Sequence, residues 1–481
     1  MMVNALSLLD APSEYFISST GDKLYFIPPI GTDLHDPPHG QGVFLSQRQH
    51  AHEMNGVAHI ELRGLHIAYA MGAAVVAQNV TNVALNNCTI SSSGTDGVVL
   101  NGSNSTISGC RVSDTGCNAV KIVGGDIPSL SSGHLRVHNN SLHRFARVSR
   151  TRGVGVVWSG CGGTVSANEI FDAPYIGIMM ERHGAMYTFE DNYLHDLAQG
   201  VANSAGFYSG RTWSDRGNIV RRNRFRRFVA TERLAQATSV NGIYLDDMES
   251  GWTIEDNVFE DIRICVFVGG GRQNRVLRNE FVNCSIPVHV DDRGLNFMKC
   301  GPNASYPSTW LSRLDELRYK QPPWSTAFDI DTTTSPCAPA LNVVRDNRFC
   351  FAREPAPPPP PHAPCARCSA GKHLCGSPQS GHWCYAGPFA GVCGHKDICC
   401  LQPGSMKKSK WGDDGCEGIR RCGNNPHNLT VCPPLPLPPS FSDYAKIANA
   451  SWRNVFSNNT NFTCSHVLNG AGLNSAQNAR G

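Results

Sequence analysis

The stretch Ile254-Glu255-Asp256-Asn257-Val258-Phe259 decides how this chain is read. Its pattern, apolar-x-x-Asn-x-apolar, returns at Val137–Leu142 around Asn140, at Val165–Ile170 around Asn168 and at Phe189–Leu194 around Asn192. It continues around Asn223, Asn279 and Asn347. Two earlier copies carry Cys88 and Cys110 at the Asn position, and the earliest, Leu62–Ile67, carries Leu65. The closest copies, such as those of Asn257 and Asn279, lie 22 residues apart, and insertions stretch the others. A period in the twenties means one small unit stacked many times.

Each unit is built of short runs rich in Val, Ile and Phe, broken by Gly, Asn, Asp and Ser, which reads as strand-turn-strand. A second run follows each motif, as in Gly97–Leu100, Ala119–Ile122, Gly177–Met180, Gly242–Leu245, Cys265–Val268 and Pro287–Val290. Leucine-rich repeats share the period and use an Asn, but they need several leucines and a helical stretch per unit, and this chain has neither. The expectation is an all-β fold, a right-handed parallel β-helix, with coils about 4.8 Å apart and the usual hand of parallel crossovers. An Asn at a coil corner can take left-handed geometry and bond nearby backbone. Stacked Asn amides can also bond one another along the column. The plainer alternative is that Asn only marks turns.

With 481 residues, 41% of them hydrophobic, the chain can bury a large core. A net charge of +3 is too small to argue for nucleic acid, and no run approaches the roughly 18 apolar residues of a membrane span. Met1 to Asp10 shows no basic segment followed by a long apolar one, so no signal peptide is visible. The 20 cysteines nevertheless point to an oxidising compartment. Asn-x-Ser/Thr sequons such as Asn79, Asn101, Asn428 and Asn461 point the same way more weakly, since an Asn-rich β-helix makes them by chance. An extracellular or secretory-pathway monomer with an incomplete start is expected. A cytosolic protein is the alternative.

Residues 1–55 read as two strands leading into the first coil, and 56–354 as the β-helix. A 68-residue gap between Asn279 and Asn347 holds Leu311–Leu317, spaced for a short helix, and predicts a flap at about 300–335 over one face. Residues 355–364 are a nearly pure proline run, a stiff spacer. Residues 365–432 contain ten cysteines and read as a disulfide-rich insert; Cys365-x-x-Cys368 leaves a zinc site as the competing reading. Trp383, Tyr385 and Phe389 there form either a sugar-stacking face or a tiny core. Residues 433–481 read as a polar tail. Cys88 and Cys110, on successive coils, are expected to be buried free thiols rather than a bridge.

Aligning the second runs gives a column Asn101, Val123, Glu181, Gly210, Asp246, Gly269, Asp291, followed by Gly102, Gly124, Arg182, Arg211, Asp247, Gly270, Asp292. Asp246 and Asp291 then stand two coils apart, about 9 to 10 Å along the axis, with Gly269 leaving an open slot between them. Two carboxylates flanking a slot are what glycoside cleavage requires: one protonates the leaving oxygen, the other activates water or attacks. This spacing leans toward inversion. Arg272, Arg293, Tyr208, Arg211, Tyr244 and His289 converge on the same edge, and arginines suit hydroxyls or carboxylates. The competing reading is a solvated rim in which Asp and Gly serve turn geometry. His289 alone reads as an ordinary strand residue, and Glu249 and Trp252 as loop rim.

The runs Asn241–Met248, Gly251–Phe259, Gly269–Asn274 and His289–Gly294 resemble the right-handed β-helix glycoside hydrolases of family 141 and their relatives, over roughly residues 8 to 350. The cysteine-dense insert is outside that pattern. The resemblance implies a glycan or polysaccharide substrate and an acid and a base drawn from the two Asp-Asp motifs. Asp246 and Asp291 are the first choice, Asp247 and Asp292 the fallback. Glu181, Arg182, Tyr208, Arg211, Tyr244, Arg272, His289 and Arg293 are the candidate substrate contacts. No cofactor is required by this reading. A lyase would instead need Ca²⁺ on the four aspartates and Arg272 or Arg293 as base. A non-catalytic extracellular glycan-binding or structural β-helix is the third possibility.

Overall fold

The computed structural model describes residues 5–31, 45–201, 203–228, 240–295, 298, 305–350, 372–375, 383–386 and 453–461. Parallel strands stack in three rows, each strand pairing with its counterpart one coil away. The first row runs from His52–Asn55 through Val120–Gly124, Ser204–Gly210, Val240–Asp246 and Ile264–Gly269 to Ile286–Asp291. The second includes Leu135–His138, Ile219–Arg221, Thr253–Glu255 and Arg275–Leu277. The third, an 11-stranded sheet, runs from His66–Ala68 to Thr460–Asn461. The expected all-β coil architecture is therefore the fold.

Alternation positions the core. The middle residue of each third-row strand points inward, so Phe225, Phe259, Phe281 and Phe349 stack with centroids 4.8–5.4 Å apart and rings nearly parallel. Strand spacing sets that repeat, and successive rings meet at a spacing aromatic pairs favour.

The Asn column is a ladder. From Asn140 through Asn168, Asn192, Asn223, Asn257, Asn279 and Asn347 to Asn459, each Nδ2 donates to the next Oδ1 at 2.9–3.1 Å. The same oxygen accepts the preceding Asn's backbone N–H, and each Nδ2 also donates to a carbonyl, as Asn257 does to Val220. Every ladder amide is thereby satisfied, which burial demands. The left-handed corner itself falls on the preceding residue instead: Asn139, Ala167, Asp191, Arg222, Asp256, Arg278 and Asp346 all have φ of 52–59°. The ladder Asn is thus a buried hydrogen-bonding unit, and its neighbour makes the turn. Cys110 and Cys88 continue the column as buried free thiols, Cys110 N–H donating to Asn140 Oδ1 at 2.8 Å. Burial pushes the Cys110 thiol up to about 11.

A second column lies five residues earlier. Trp252 N–H donates to Asn274 Oδ1, Asn274 N–H to Asn342 Oδ1, and Asn342 N–H to Asn454 Oδ1. Asn454 and Asn459 flank Val455–Ser457, which pairs with Val343–Arg345. Residues expected in a polar tail thus contribute strands to a further coil, Val455–Ser457 and Thr460–Asn461.

In the gap after Asn279, where a flap is expected, a helix spans Ser305–Glu316 and a short one Trp324–Ala327. Trp310, Leu314, Tyr319 and Trp324 pack with Trp213, Met248 and Met298 in a separate apolar cluster over the turns that follow the first row. In the cysteine-rich region, Lys372–Cys375 and Trp383–Ala386 form an antiparallel hairpin. The rest of 365–432, including Phe389, lies outside the described residues, as does the proline run. One disulfide joins Cys265 to Cys284, and Cys337 and Cys350 are also disulfide-bonded.

Candidate active site

The aligned column is real in three dimensions. Gly210 pairs with Asp246, Leu245 with Val268 and Gly269 with Asp291. Met179 pairs with Tyr208, two residues before Glu181 and Gly210 respectively. One coil was skipped in the sequence reading: Ser159, paired with Val123, stands between Val123 and Glu181. Because Ile243 and Leu245 point into the core, Tyr244 and Asp246 share the outward side. Tyr208, Phe267, His289 and Asp291 stand on that side of neighbouring coils. Ring centroids step from Tyr208 to Tyr244, Phe267 and His289 at 5.5, 4.8 and 4.6 Å.

The expected slot at Gly269 is not open. A Cβ there would meet Arg293 Cζ at 2.7 Å, because the guanidinium lies over the glycine. Arg293 bonds Asp246 Oδ1 through Nη1, Asp247 Oδ1 at 2.9 Å through Nη1, and Asp291 through Nε and Nη2 at 3.0 and 2.9 Å. Its Cζ also sits 4.9 Å from the Phe267 centroid. The two carboxylates therefore lean toward one another from alternate coils and grip one cation. The glycine makes room for that cation.

Asp246 is 7% exposed. Its Oδ2 accepts from Tyr208 Oη at 3.0 Å, and Oδ1 also accepts the Asp247 N–H at 2.9 Å. Burial, then the adjacent Asp247 charge, raise its proton affinity above the ordinary carboxylate range against the pull of Arg293. Burial and Asp246 likewise push the Tyr208 and Tyr244 hydroxyls up, so both remain donors. Burial lowers His289, and Arg293 adds to this while Asp291 opposes it. The turn after Asp246 is tight: Asp247 and Met248 have φ of 38° and 71°, an arrangement that non-glycine residues hold only where surrounding structure enforces it. Glu249 N–H closes it onto the Asp246 carbonyl at 3.0 Å.

The remaining candidates divide. Arg211 is exposed and reaches Asp247 Oδ2 at 3.2 Å. Glu181 pairs with Lys121 at 2.7 Å, and Arg182 is exposed beside it. The side chain of Asp292 makes no hydrogen bond among the described residues, which separates it from the cluster. Arg272 does not reach the site. It is fully buried, stacked 5.2 Å from the Trp213 ring, and donates to the Thr334 and Pro336 carbonyls. Its position one turn beyond Gly269–Gly271 carries it under the returning arm of the flap.

The rim assignment of Glu249 and Trp252 is also corrected: both are fully buried. Trp252 Nε1 and Ser209 Oγ donate to Glu249 Oε1 at 2.6 and 2.9 Å. Glu249 faces Asp215, itself buried and bonded by the Gly184 N–H at 3.3 Å. Desolvation pushes Asp215 up to about 8 and Glu249 well above its usual range. Both carboxyls therefore hold their protons more tightly than an exposed carboxyl would. Reading by sequence missed the pair, although Asp215 and Glu249 occupy the same phase, three residues before Asn218 and Trp252 of the second column.

A family model described as the right handed beta helix region matches residues 43–146 and 129–305, together more than half of the chain. The chain belongs to the right-handed β-helix family. No curated protein matches this β-helix. Among solved structures, it is similar to a glycoside hydrolase at 14% identity and a TM-score of 0.38, over 60% of this chain and 57% of that one. It is similar to the Dettilon tailspike protein at 12% identity and a TM-score of 0.30, over 61% and 56% of the two chains. A mannuronic acid specific family 6 polysaccharide lyase from human gut microbiota gives 12% identity and a TM-score of 0.31, over 63% and 73%. The β-helix spans less than two thirds of the length of the first two. The family match covers β-helices at large and does not single out family 141.

Proposed function

We propose that this β-helix is a glycoside hydrolase acting on an extracellular glycan or polysaccharide, with Asp246 as general acid and Asp291 as base or nucleophile. One observation carries the reading: carboxylates from alternate coils share a single guanidinium on the outward face, and the buried one has the raised proton affinity. An acid must hold its proton near neutrality to give it to a leaving oxygen. Asp246 would donate that proton to the glycosidic oxygen as the C–O bond breaks. Asp291 would take a proton from the attacking water, or attack the anomeric carbon itself. Arg293 keeps the two carboxylates in register, and Tyr208 steadies Asp246. The strip Tyr208–Tyr244–Phe267–His289 alongside offers apolar ring surface for sugar faces. Arg211 and Arg182 are placed to meet hydroxyls or acidic substituents.

The lyase alternative loses its base. Arg272 is sealed under the flap, and against the cost of burial Asp291 and Tyr244 raise the proton affinity of Arg293 further. The centre of the aspartate group, where Ca²⁺ would bind, is occupied by that guanidinium, so no metal is proposed. Disulfide bonding at Cys265, Cys284, Cys337 and Cys350 supports an oxidising, extracellular or secretory location. Among the described residues no helix is long and apolar enough to cross a membrane. A monomer fits this reading.

The test is a screen against fucosylated, xylan and uronate glycans, with and without chelator, following reducing-end release and unsaturated-product absorbance separately. Hydrolysis should be chelator-insensitive. Asp246→Asn and Asp291→Asn should each lower it at least about 100-fold while glycan binding persists. Unsaturated products would establish the lyase reading. Binding without turnover in the unsubstituted protein would leave a glycan-binding β-helix.

A further inference from the structure

Among the described residues eight asparagines begin Asn-x-Ser/Thr sequons: Asn79, Asn87, Asn101, Asn104, Asn139, Asn283, Asn458 and Asn461, the last at the edge of the described residues. An Asn-rich solenoid would be expected to produce sequons from its ladder by chance. It does not, because no ladder Asn from Asn140 to Asn459 begins one. From Asn140 to Asn347, the residue two places after each ladder Asn is the inward one of the third-row strand: Leu142, Ile170, Leu194, Phe225, Phe259, Phe281 or Phe349, each buried. A hydroxyl there would be desolvated in the core, so the fold excludes sequons at that phase.

The sequons fall one residue earlier. Asn87, Asn139 and Asn458 precede the column residues Cys88, Asn140 and Asn459, and their hydroxyl residues Thr89, Ser141 and Thr460 open third-row strands on the outward side. All three asparagines are exposed, with φ of 52°, 53° and 55°. Asn79, Asn104 and Asn283 are likewise exposed, with φ of 53°, 50° and 55°. Such left-handed corners project the side chain from the solenoid edge. Asn101 differs: it is half-buried within the first-row strand Val98–Ser103.

We propose that the six exposed corner asparagines are acceptors for N-linked glycans. The Asn Nδ2 forms a bond to the anomeric carbon of a lipid-diphosphate-linked oligosaccharide. The bond from that carbon to the diphosphate oxygen breaks, the lipid diphosphate leaves, and one amide proton passes to a base of the transferase. An acceptor must be solvent-facing for the bulky product to be tolerated. The disulfides independently indicate the compartment where such donors occur. Existing bonds at the corners are dispensable surface contacts, such as Asn283 Nδ2 to Asp261 Oδ1 at 2.7 Å. Glycans at these positions leave the outward side of the first row, with Asp246 and Asp291, uncovered. The proposal does not depend on the hydrolase reading.

The experiment is to secrete the full chain behind a leader peptide from a eukaryotic host and digest it with an amidase that converts each glycosylated Asn to Asp. Peptide mass spectrometry then maps the conversions. Conversion is expected at a majority of the six corners and at none of the ladder asparagines. Thr89→Ala and Ser141→Ala should each remove one glycan without lowering Tm, because their hydroxyls are outward. A secreted, folded chain in which most of the six asparagines stay unconverted overturns the proposal, as does conversion at a ladder Asn.

Discussion

Gly269 shows how one missing side chain can organise a site. Its backbone sits under the Arg293 guanidinium, so a single Cβ would press on Cζ, Nε and Nη1 at 2.7–2.9 Å. Gly269→Ala should displace the guanidinium, uncouple Asp246 from Asp291 and lower glycan hydrolysis at least tenfold. Circular dichroism should show an unchanged fold, since the atoms that must move are the far end of a flexible chain. The ladder makes a separate prediction. Asn257→Ala strands the buried donors of Asn223 and should cost about 3 kcal/mol in denaturant unfolding. Cys110→Asn should do the reverse. Asn140 Oδ1 there accepts only a backbone N–H, and a new amide donor should add about 1 kcal/mol.

At the level of elements, the flap is the part whose role the sequence disclosed least. Its existence was legible from the long gap and from the spacing of Leu311, Leu314 and Leu317, but the helix starts earlier, at Ser305. Where it docks depended on residues far away in sequence: Trp324 Nε1 donates to the Ile127 and Pro128 carbonyls. Arg272, read as a substrate contact from its place after three glycines, proved to anchor the returning arm instead. Gln273 helps it, donating to the Asp329 carbonyl at 2.7 Å. Trp324→Ala removes one of the two fully buried tryptophans of the flap cluster. It should destabilise that cluster by about 3–5 kcal/mol and speed hydrogen exchange in Ser305–Glu316, while the Asn ladder stays protected.

For the whole molecule, the buried Asp215–Glu249 pair links the flap region to pH. Both carboxyls bind protons more tightly when folded than the roughly 4 expected of an unfolded chain. Their contribution to stability is therefore fully present below about pH 4 and is lost as pH rises toward the folded value of about 8 for Asp215. The groups facing the pair are His183, pulled down to about 4 chiefly by burial, with Arg216 and the flap residue Arg313. A neutral His183 does not replace the protons these carboxyls hold. Thermal unfolding should show Tm falling between about pH 4 and pH 8. Asp215→Asn, which keeps a neutral hydrogen-bonding group, should flatten that slope; an unchanged slope would assign the effect elsewhere.

Strand periodicity, the Asn motif and the glycine-punctuated acidic column were all readable along the chain because a solenoid writes its geometry locally. Each coil repeats the last, so equal phase in sequence becomes adjacency in space, and Asp246, Gly269 and Asp291 could be aligned before any coordinates were known. What the chain alone left undecided was direction and distance for side chains leaving the repeat. Arg272 and Arg293 both stand just beyond the end of a first-row strand, yet one turns under the flap and the other back over Gly269. Asp215 and Glu249 are buried beside Trp213 and Met248, on which the segment from beyond residue 300 packs. Local phase sets the backbone; the long insertion packs where no repeat dictates it, and no local pattern announces which side chains it will cover.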